Sequence, residues 1–207
     1  MKKFVLLLAL ALTGFAANAQ IKRPKLVVGI IIDQMRWDYL NYYYDQYCDG
    51  GFKRLINDGF SCDNNMINYL PTVTAIGHTS TYTGATPAIH GIAGNSFQID
   101  GKDVYCCKDT TVESVGSKND AGRMSPCNLL STTIGDQIRL ATDFNSKVIG
   151  VALKDRAAIL PAGRSANAAY WYDTKAGKFV TSTYYMPQLP KWVNKFNGKI
   201  KIKPGTD

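Results

Sequence analysis

Thr74 lies where the sequence predicts the first turn of a short helix. Pro71 ends an extended segment before it, because the residue preceding a proline is disfavoured in the helical region, and Gly84 is a typical helix end. A hydroxyl group in the first turn faces unpaired backbone N–H groups and the positive end of the helix dipole. This position favours a nucleophile that becomes an alkoxide and attacks an anion. The alternative is that Thr72 or Thr74 is an ordinary N-cap.

Two apolar runs end in charged residues. The run 26–32 is rich in β-branched residues, predicts a buried central strand of a parallel sheet, and ends at Asp33. The run 147–153 predicts a second strand and ends in Lys154 and Arg156. Open α/β sheets bind ligands at the carboxyl ends of their strands, so these charges share one edge if the strands are parallel. The commoner roles of such residues are an aspartate in a turn and a solvated Lys-x-Arg loop.

These residue types suit phosphoryl transfer, which requires charge neutralisation and an in-line nucleophile. An alcohol acts at neutral pH only when a base or a metal activates it, and the Asp33 carboxylate is a suitable oxygen ligand for zinc. Arg156 offers a planar fork that matches phosphate oxygens, and Lys154 offers a point charge. Asn95 closes the glycine-rich segment 85–95 and offers a neutral donor. Glycines allow the backbone to approach a ligand closely, although plain turns use them more often.

The elements that must position these residues follow from periodicity and turn signals. Helical spacing recurs in four further segments, 37–47, 51–58, 130–141 and 192–196. Hairpins are predicted over 96–105 and 170–183, and the polar stretch 108–128 predicts a surface excursion. The alternation of strands and helices predicts an α/β fold with a mostly parallel central sheet flanked by helices, incomplete in this chain.

Residues 1–19 have the pattern of a secretory signal peptide. Lys2 and Lys3 form a basic start, the apolar run 4–12 is too short to span a bilayer comfortably, and Ala17–Ala19 supplies a small-residue cleavage site. An uncleaved membrane anchor is the alternative. We therefore expect a periplasmic or secreted protein that has no membrane contact after cleavage.

Composition bounds the class of protein. The chain has 207 residues, of which 45% are hydrophobic and 19% charged, as in a folded globular protein. Its net charge is +8, or +6 after the predicted cleavage, and could attract anionic substrates. A solvated face is the preferred interpretation of the lysines near the end of the sequence, since no nucleic-acid motif or basic–aromatic array is present. The five cysteines are an odd number, so at least one stays outside an intrachain disulfide. The absence of a Cys-x-x-Cys pair argues against a structural zinc site.

Four sequence blocks together resemble the alkaline phosphatase superfamily. They cover 28–39, 71–79, 90–95 and 153–163, in order and at compatible spacing, over nearly the whole predicted mature part. The resemblance is closest to the exported bacterial PafA-type alkaline phosphatases, which have a threonine nucleophile. Residues 20–207 are accordingly interpreted as the N-terminal part of an alkaline-phosphatase-like catalytic domain.

The resemblance implies an α/β fold and a two-zinc phosphatase. Asp33 falls on a zinc-ligand aspartate of the family. Thr74 falls on the nucleophile, which is also a zinc ligand and is phosphorylated and then hydrolysed. The family's phosphate-contacting residues fall on Asn95, Lys154 and Arg156. The implied activity is hydrolysis of small-molecule phosphate monoesters through a phosphothreonine intermediate.

The family's remaining Asp and His ligands lie later in a considerably longer chain. The only histidines here, His78 and His90, are interpreted as structural. Since a catalytic zinc usually takes three protein ligands, we interpret the sequence as an N-terminal part that is inactive by itself. The Lys-x-Arg pair favours monoesters, which carry one more anionic oxygen than diesters. Two alternatives stay open: a phosphodiesterase or nucleotide pyrophosphatase of the same superfamily, and a non-catalytic phosphate-binding module.

Overall fold

The computed structural model describes residues 24–200, so the predicted signal peptide, residues 1–19, lies outside the described part. The chain divides into two compact units, Met1–Met35 and Arg36–Asp207, which are treated separately below.

The described part of the first unit contains no helix or strand. The prediction of a buried central strand over 26–32 is therefore wrong for this structure, and Leu26 and Ile30 are 78% and 76% exposed. A central strand satisfies its backbone groups only by pairing with neighbours, and apolar character alone does not supply them. Asp33 consequently lies in a turn with Gln34 rather than at a strand end.

The described residues of the second unit form seven α-helices: α1 (Tyr39–Tyr42), α2 (Phe52–Asp58), α3 (Thr74–Thr83), α4 (Pro87–His90), α5 (Ile134–Ala141), α6 (Asp155–Ala162) and α7 (Lys191–Asn197). Short 3-10 turns cover Tyr44–Gln46 and Asp120–Gly122.

Gly84 ends α3 in the left-handed conformation, and its N–H donates to the Ser80 carbonyl, as predicted. The helix predicted over 37–47 is shorter, because aromatic residues have only moderate helix propensity.

The strands of the second unit form two sheets. They are β1 (Ser96–Ile99), β2 (Lys102–Tyr105), β3 (Ser114–Val115), β4 (Ile149–Ala152), β5 (Ala168–Asp173) and β6 (Lys178–Ser182). β1 and β2 make the predicted hairpin, in which Asp100 and Gly101 turn with φ of 50° and 73°. The other sheet has the order β3–β6–β5–β4.

The predicted α/β fold class is confirmed, but the described four-stranded sheet is mixed. Only β4 and β5 pair in parallel, across the connection through α6, whereas β5–β6 and β3–β6 are antiparallel. A short connection such as the turn between β5 and β6 joins only antiparallel neighbours. The stretch 108–128 is not a mere surface excursion, since it contributes β3 and buries Val112 and Ser125.

The core lies where α6 packs on β4 and β5, with α3 packed against α6. Its buried side chains include those of Ala75, Leu129, Ile159, Leu160 and Trp171. Close packing requires Gly150 in β4, because a Cβ atom there would overlap the Ala158 carbonyl oxygen. This contact fixes the position of α6, and with it the position of Arg156 in the first turn of that helix.

Candidate active site

Thr74 is the first residue of α3. Val73 is the N-cap residue and is extended, with φ −87° and ψ 163°, so the interpretation of Thr72 or Thr74 as the N-cap is wrong. The first-turn N–H of Ala75 instead donates to Asn95 Oδ1 at 3.0 Å. This contact orients the amide of Asn95: Oδ1 faces the helix, and Nδ2 is the end that can donate to a phosphate oxygen. The structure thus joins two of the predicted site residues.

Both histidines lie in buried hydrogen-bonded positions around α3. His78 Nδ1 is 3.0 Å from the Thr74 carbonyl oxygen. His90 Nδ1 accepts from the Ile92 N–H at 3.1 Å, which leaves Nε2 as the ring donor to Ser80 Oγ at 2.9 Å. Burial lowers the pKa of His90, so the neutral ring fits its partners. These contacts support the structural interpretation of the two residues.

Lys154 and Arg156 follow the carboxyl end of β4, where the sequence predicts them. Lys154 is the N-cap residue of α6 and is exposed. Arg156 lies in the first turn, is partly buried, and donates from Nη1 to the Tyr105 hydroxyl at 3.0 Å. The same hydroxyl donates to Asp155 Oδ1 at 2.6 Å.

The β1–β2 hairpin connects the two halves of this arrangement. The N–H of Cys106, next to Tyr105, donates to the Asn95 carbonyl oxygen at 2.9 Å. A continuous chain of contacts therefore runs from the start of α3 through Asn95 and the end of β2 to Arg156. Sequence reasoning missed Tyr105, whose only signal was its position near the end of the predicted hairpin.

The described residues do not hold a complete metal site. Within residues 24–200, no three or more His, Cys, Asp and Glu side chains form a group that could hold an ion. Asp33 offers one carboxylate and Thr74 one hydroxyl, which falls short of the ligand sets of two zinc ions. All five cysteines belong to this part of the chain and are free thiols. None of its helices is both long and apolar enough to cross a membrane.

The family model for type I phosphodiesterase / nucleotide pyrophosphatase matches residues 27–204. The chain belongs to this family. The resemblance to the alkaline phosphatase superfamily is thereby confirmed.

Two curated relatives share more than half of the aligned residues with this chain. Alkaline phosphatase PafA of Elizabethkingia meningoseptica is 56% identical over 203 residues, which are 96% of this chain and 37% of the relative. A Myroides odoratus protein named calcium-transporting ATPase is 59% identical over 183 residues, or 87% of this chain and 33% of the relative.

Solved structures show the same similarity. The crystal structure of wild-type PafA matches with a TM-score of 0.85 and 59% identity, covering 86% of this chain and 35% of that chain. A quadruple mutant of PafA, with a threonine, an asparagine, a lysine and an arginine replaced, also has a TM-score of 0.85. This chain spans about a third of the length of these relatives.

Proposed function

We propose that this chain is the N-terminal part of an exported alkaline phosphatase that hydrolyses phosphate monoesters through a phosphothreonine intermediate on Thr74. The observation that carries the proposal is the contact of Asn95 with the first-turn N–H of α3, directly beside Thr74. It supports the proposal because the Asn95 amide then lies at the start of the ten-residue helix that begins at Thr74, where the helix dipole is positive.

The PafA mutant supports the assignment of these residues. Its four substitutions fall on a threonine, an asparagine, a lysine and an arginine, in that order along the chain. The threonine and the asparagine have the same separation as Thr74 and Asn95 here, and the lysine and the arginine the same separation as Lys154 and Arg156. We therefore assign phosphate contacts to Asn95, Lys154 and Arg156.

The proposed reaction has two steps. Thr74 Oγ1 loses its proton and forms a bond to phosphorus while the bond from phosphorus to the leaving oxygen breaks, and that oxygen takes up a proton to leave as the alcohol. Water then cleaves the phosphothreonine, which returns the Thr74 hydroxyl and releases inorganic phosphate. Arg156 and Lys154 neutralise the oxygens of the transferred group, and Asn95 donates to one of them. Because α3 begins at Thr74, its dipole stabilises the anion in both steps.

Zinc is the proposed cofactor. The ligands that the family resemblance assigns in this chain are Asp33 and Thr74, and bound zinc would supply Lewis-acid stabilisation of charge. The proposed location is the periplasm or the medium, after cleavage of residues 1–19. The proposed partners are small-molecule phosphate esters rather than nucleic acid or membrane.

A second candidate function is phosphodiester or nucleotide pyrophosphate hydrolysis, which the name of the matching family favours. The relative named as an ATPase adds nucleoside triphosphates to the substrates to compare. Monoester, diester and ATP hydrolysis by the full-length protein should therefore be measured side by side. A higher kcat/KM on the diester or on ATP than on the monoester would select the second candidate.

Replacement of Thr74 tests the nucleophile. We expect the full-length Thr74→Ala variant to form no phosphoenzyme and to lose most turnover while remaining folded, whereas Thr74→Ser retains a labelled phosphoserine. Thr81→Ala is a matched control, because Thr81 is exposed in the same helix and its hydroxyl bonds only back to the Gly77 carbonyl. A phosphate label trapped on the Thr74→Ala protein would contradict the assignment of Thr74 as the nucleophile.

A further inference from the structure

Tyr105 occupies the last position of β2, opposite Ser96 in the hairpin. Ser96 directly follows Asn95, and Cys106, which follows Tyr105, donates to the Asn95 carbonyl oxygen. The backbone that carries Tyr105 is therefore tied to the backbone that carries Asn95. Its side chain extends to the first turn of α6, far away in sequence.

The Tyr105 hydroxyl joins a cation to an anion. A phenol hydroxyl can donate one hydrogen bond, and the Tyr105 hydroxyl donates it to Asp155 Oδ1 at 2.6 Å. The oxygen lone pair then accepts from Arg156 Nη1 at 3.0 Å. Asp155 Oδ1 also accepts from the Arg156 backbone N–H at 2.7 Å, so both ends of Arg156 are linked to one carboxylate.

The direct ion pair is weak by comparison. Arg156 Nη1 and Asp155 Oδ1 are 4.0 Å apart, at the limit of ion-pair distance, and both side chains are mostly buried. A flexible arginine side chain loses rotamer entropy when it binds phosphate, unless a partner already holds it. The Tyr105 hydroxyl bridges the two side chains, because it is hydrogen-bonded both to the Asp155 carboxylate and to the Arg156 guanidinium. Burial, followed by the charge of Asp155, raises the pKa of Tyr105 well above its usual value, so the hydroxyl keeps its proton in alkaline solution.

We infer that Tyr105 is a positioning residue: its hydroxyl, held by Asp155, fixes the guanidinium of Arg156 and so sets the affinity for the transferred phosphate group. This inference rests on the proposed function, in which Arg156 contacts phosphate. Tyr105 itself touches no substrate. Its contribution therefore disappears when Arg156 is removed.

The test is a double-mutant cycle in the full-length protein. We expect Tyr105→Phe to raise the inhibition constant for inorganic phosphate, and to lower kcat/KM for a monoester, by about tenfold each, which is the usual effect of losing one hydrogen bond to a charged group. In an Arg156→Ala background the same change should have little further effect. A merely structural tyrosine would give equal losses in both backgrounds, and that result, or no effect at all, would overturn the inference.

Three further variants distinguish a positioning role of Tyr105 from a folding defect. Tyr170→Phe is the matched control, since Tyr170 is a buried tyrosine in β5 whose hydroxyl contacts only Met186 Sδ, and we expect wild-type phosphate inhibition. Asp155→Asn keeps a carbonyl acceptor for Tyr105 and should be closer to wild type than Asp155→Ala. The reverse order for the two Asp155 variants would contradict the hydroxyl link even if Tyr105→Phe fails to fold.

The phosphoenzyme assay is run on the same preparations. A wild-type protein that forms no phosphothreonine contradicts the proposed function. A wild-type protein that forms it, together with Tyr105→Phe kinetics equal to wild type, contradicts the positioning role alone.

Discussion

Lys154 and Arg156 are two residues apart but are held differently. Arg156 is partly buried and fixed by the Tyr105 hydroxyl, so it presents a rigid fork. Lys154 is exposed at the N-cap of α6, and its ammonium group is a compact point charge on a flexible stem. On the proposed function, Arg156 would supply fixed geometry to the phosphate group and Lys154 would supply a point charge.

We predict that this pair favours monoesters over diesters. A monoester offers both cations an oxygen that the second ester group of a diester blocks. In the full-length protein, the Lys154→Ala/Arg156→Ala variant should lose more kcat/KM on a monoester than on a matched diester. The control is Lys175→Ala/Lys178→Ala, which removes the same charge from the β5–β6 turn and the first residue of β6. Equal losses on the two substrates would show that the pair does not discriminate.

The start of α5 is joined to the segment after α6 by the buried carboxylate of Asp136. It accepts from the Thr133 N–H at 2.9 Å, closing a capping box, and from the Ser165 N–H at 2.7 Å. Burial alone would raise the pKa of Asp136, but hydrogen bonds from Ser165, Thr133 and Arg164 outweigh burial and lower it. The ionised form therefore stabilises the fold.

We predict that Asp136→Asn lowers the free energy of unfolding at neutral pH by about 1.5–3 kcal/mol, because an amide donor would face N–H donors. Since the folded-state pKa is depressed, the contribution is full above the unfolded pKa of about 3.9 and is lost as pH falls through the lower folded value. Urea unfolding at pH 7 and pH 3 should show the difference from wild type shrinking in acid. Asp100→Asn, in the exposed hairpin turn, should be neutral at both pH values. A deficit that is unchanged at pH 3 would contradict the prediction.

Local signals predicted the elements well, because their causes are local. Gly84 ends α3, and Asp100 with Gly101 forms the hairpin turn, each through its own backbone preference. The contacts that assemble the site were not predictable, since Asn95 meets Ala75 at a sequence separation of 20 and Tyr105 meets Arg156 at 51. The strand expected over 26–32 failed for the same reason, because a strand depends on its neighbours.

At the scale of the whole molecule, apolar surface is exposed along β4 and just beyond it. Ile149, Val151 and Leu153 are 52%, 61% and 64% exposed, and β4 is at the edge of the described sheet. Such an edge offers unpaired backbone groups and an apolar face to other chains. Because the chain spans about a third of its relatives, we expect a larger protein to cover this surface.

We predict that residues 20–207, expressed alone, are poorly soluble, inactive and unable to hold two zinc ions. The edge of β4 should cause the aggregation, so Val151→Lys should reduce light scattering, whereas Lys102→Arg in the hairpin should not. Bound zinc is measured by atomic emission, and phosphatase activity is measured with an aryl phosphate as the substrate. A soluble monomer that carries two zinc ions and turns over would show that the site is complete in this segment.

The contact chain from α3 through the hairpin to α6 lies within the stretch from Thr74 to Ala162, although β3, α5 and β4 come between the hairpin and α6. The entropic cost of closing the loops between these elements rises only slowly with loop length. A protein chain also leaves the ribosome with its N-terminal end first. We therefore expect the proposed phosphate-contacting residues, Asn95, Lys154 and Arg156, to come together in the nascent chain before any metal ligands that are synthesised later. On the proposed function, the metal would then meet Thr74, Lys154 and Arg156 already in position.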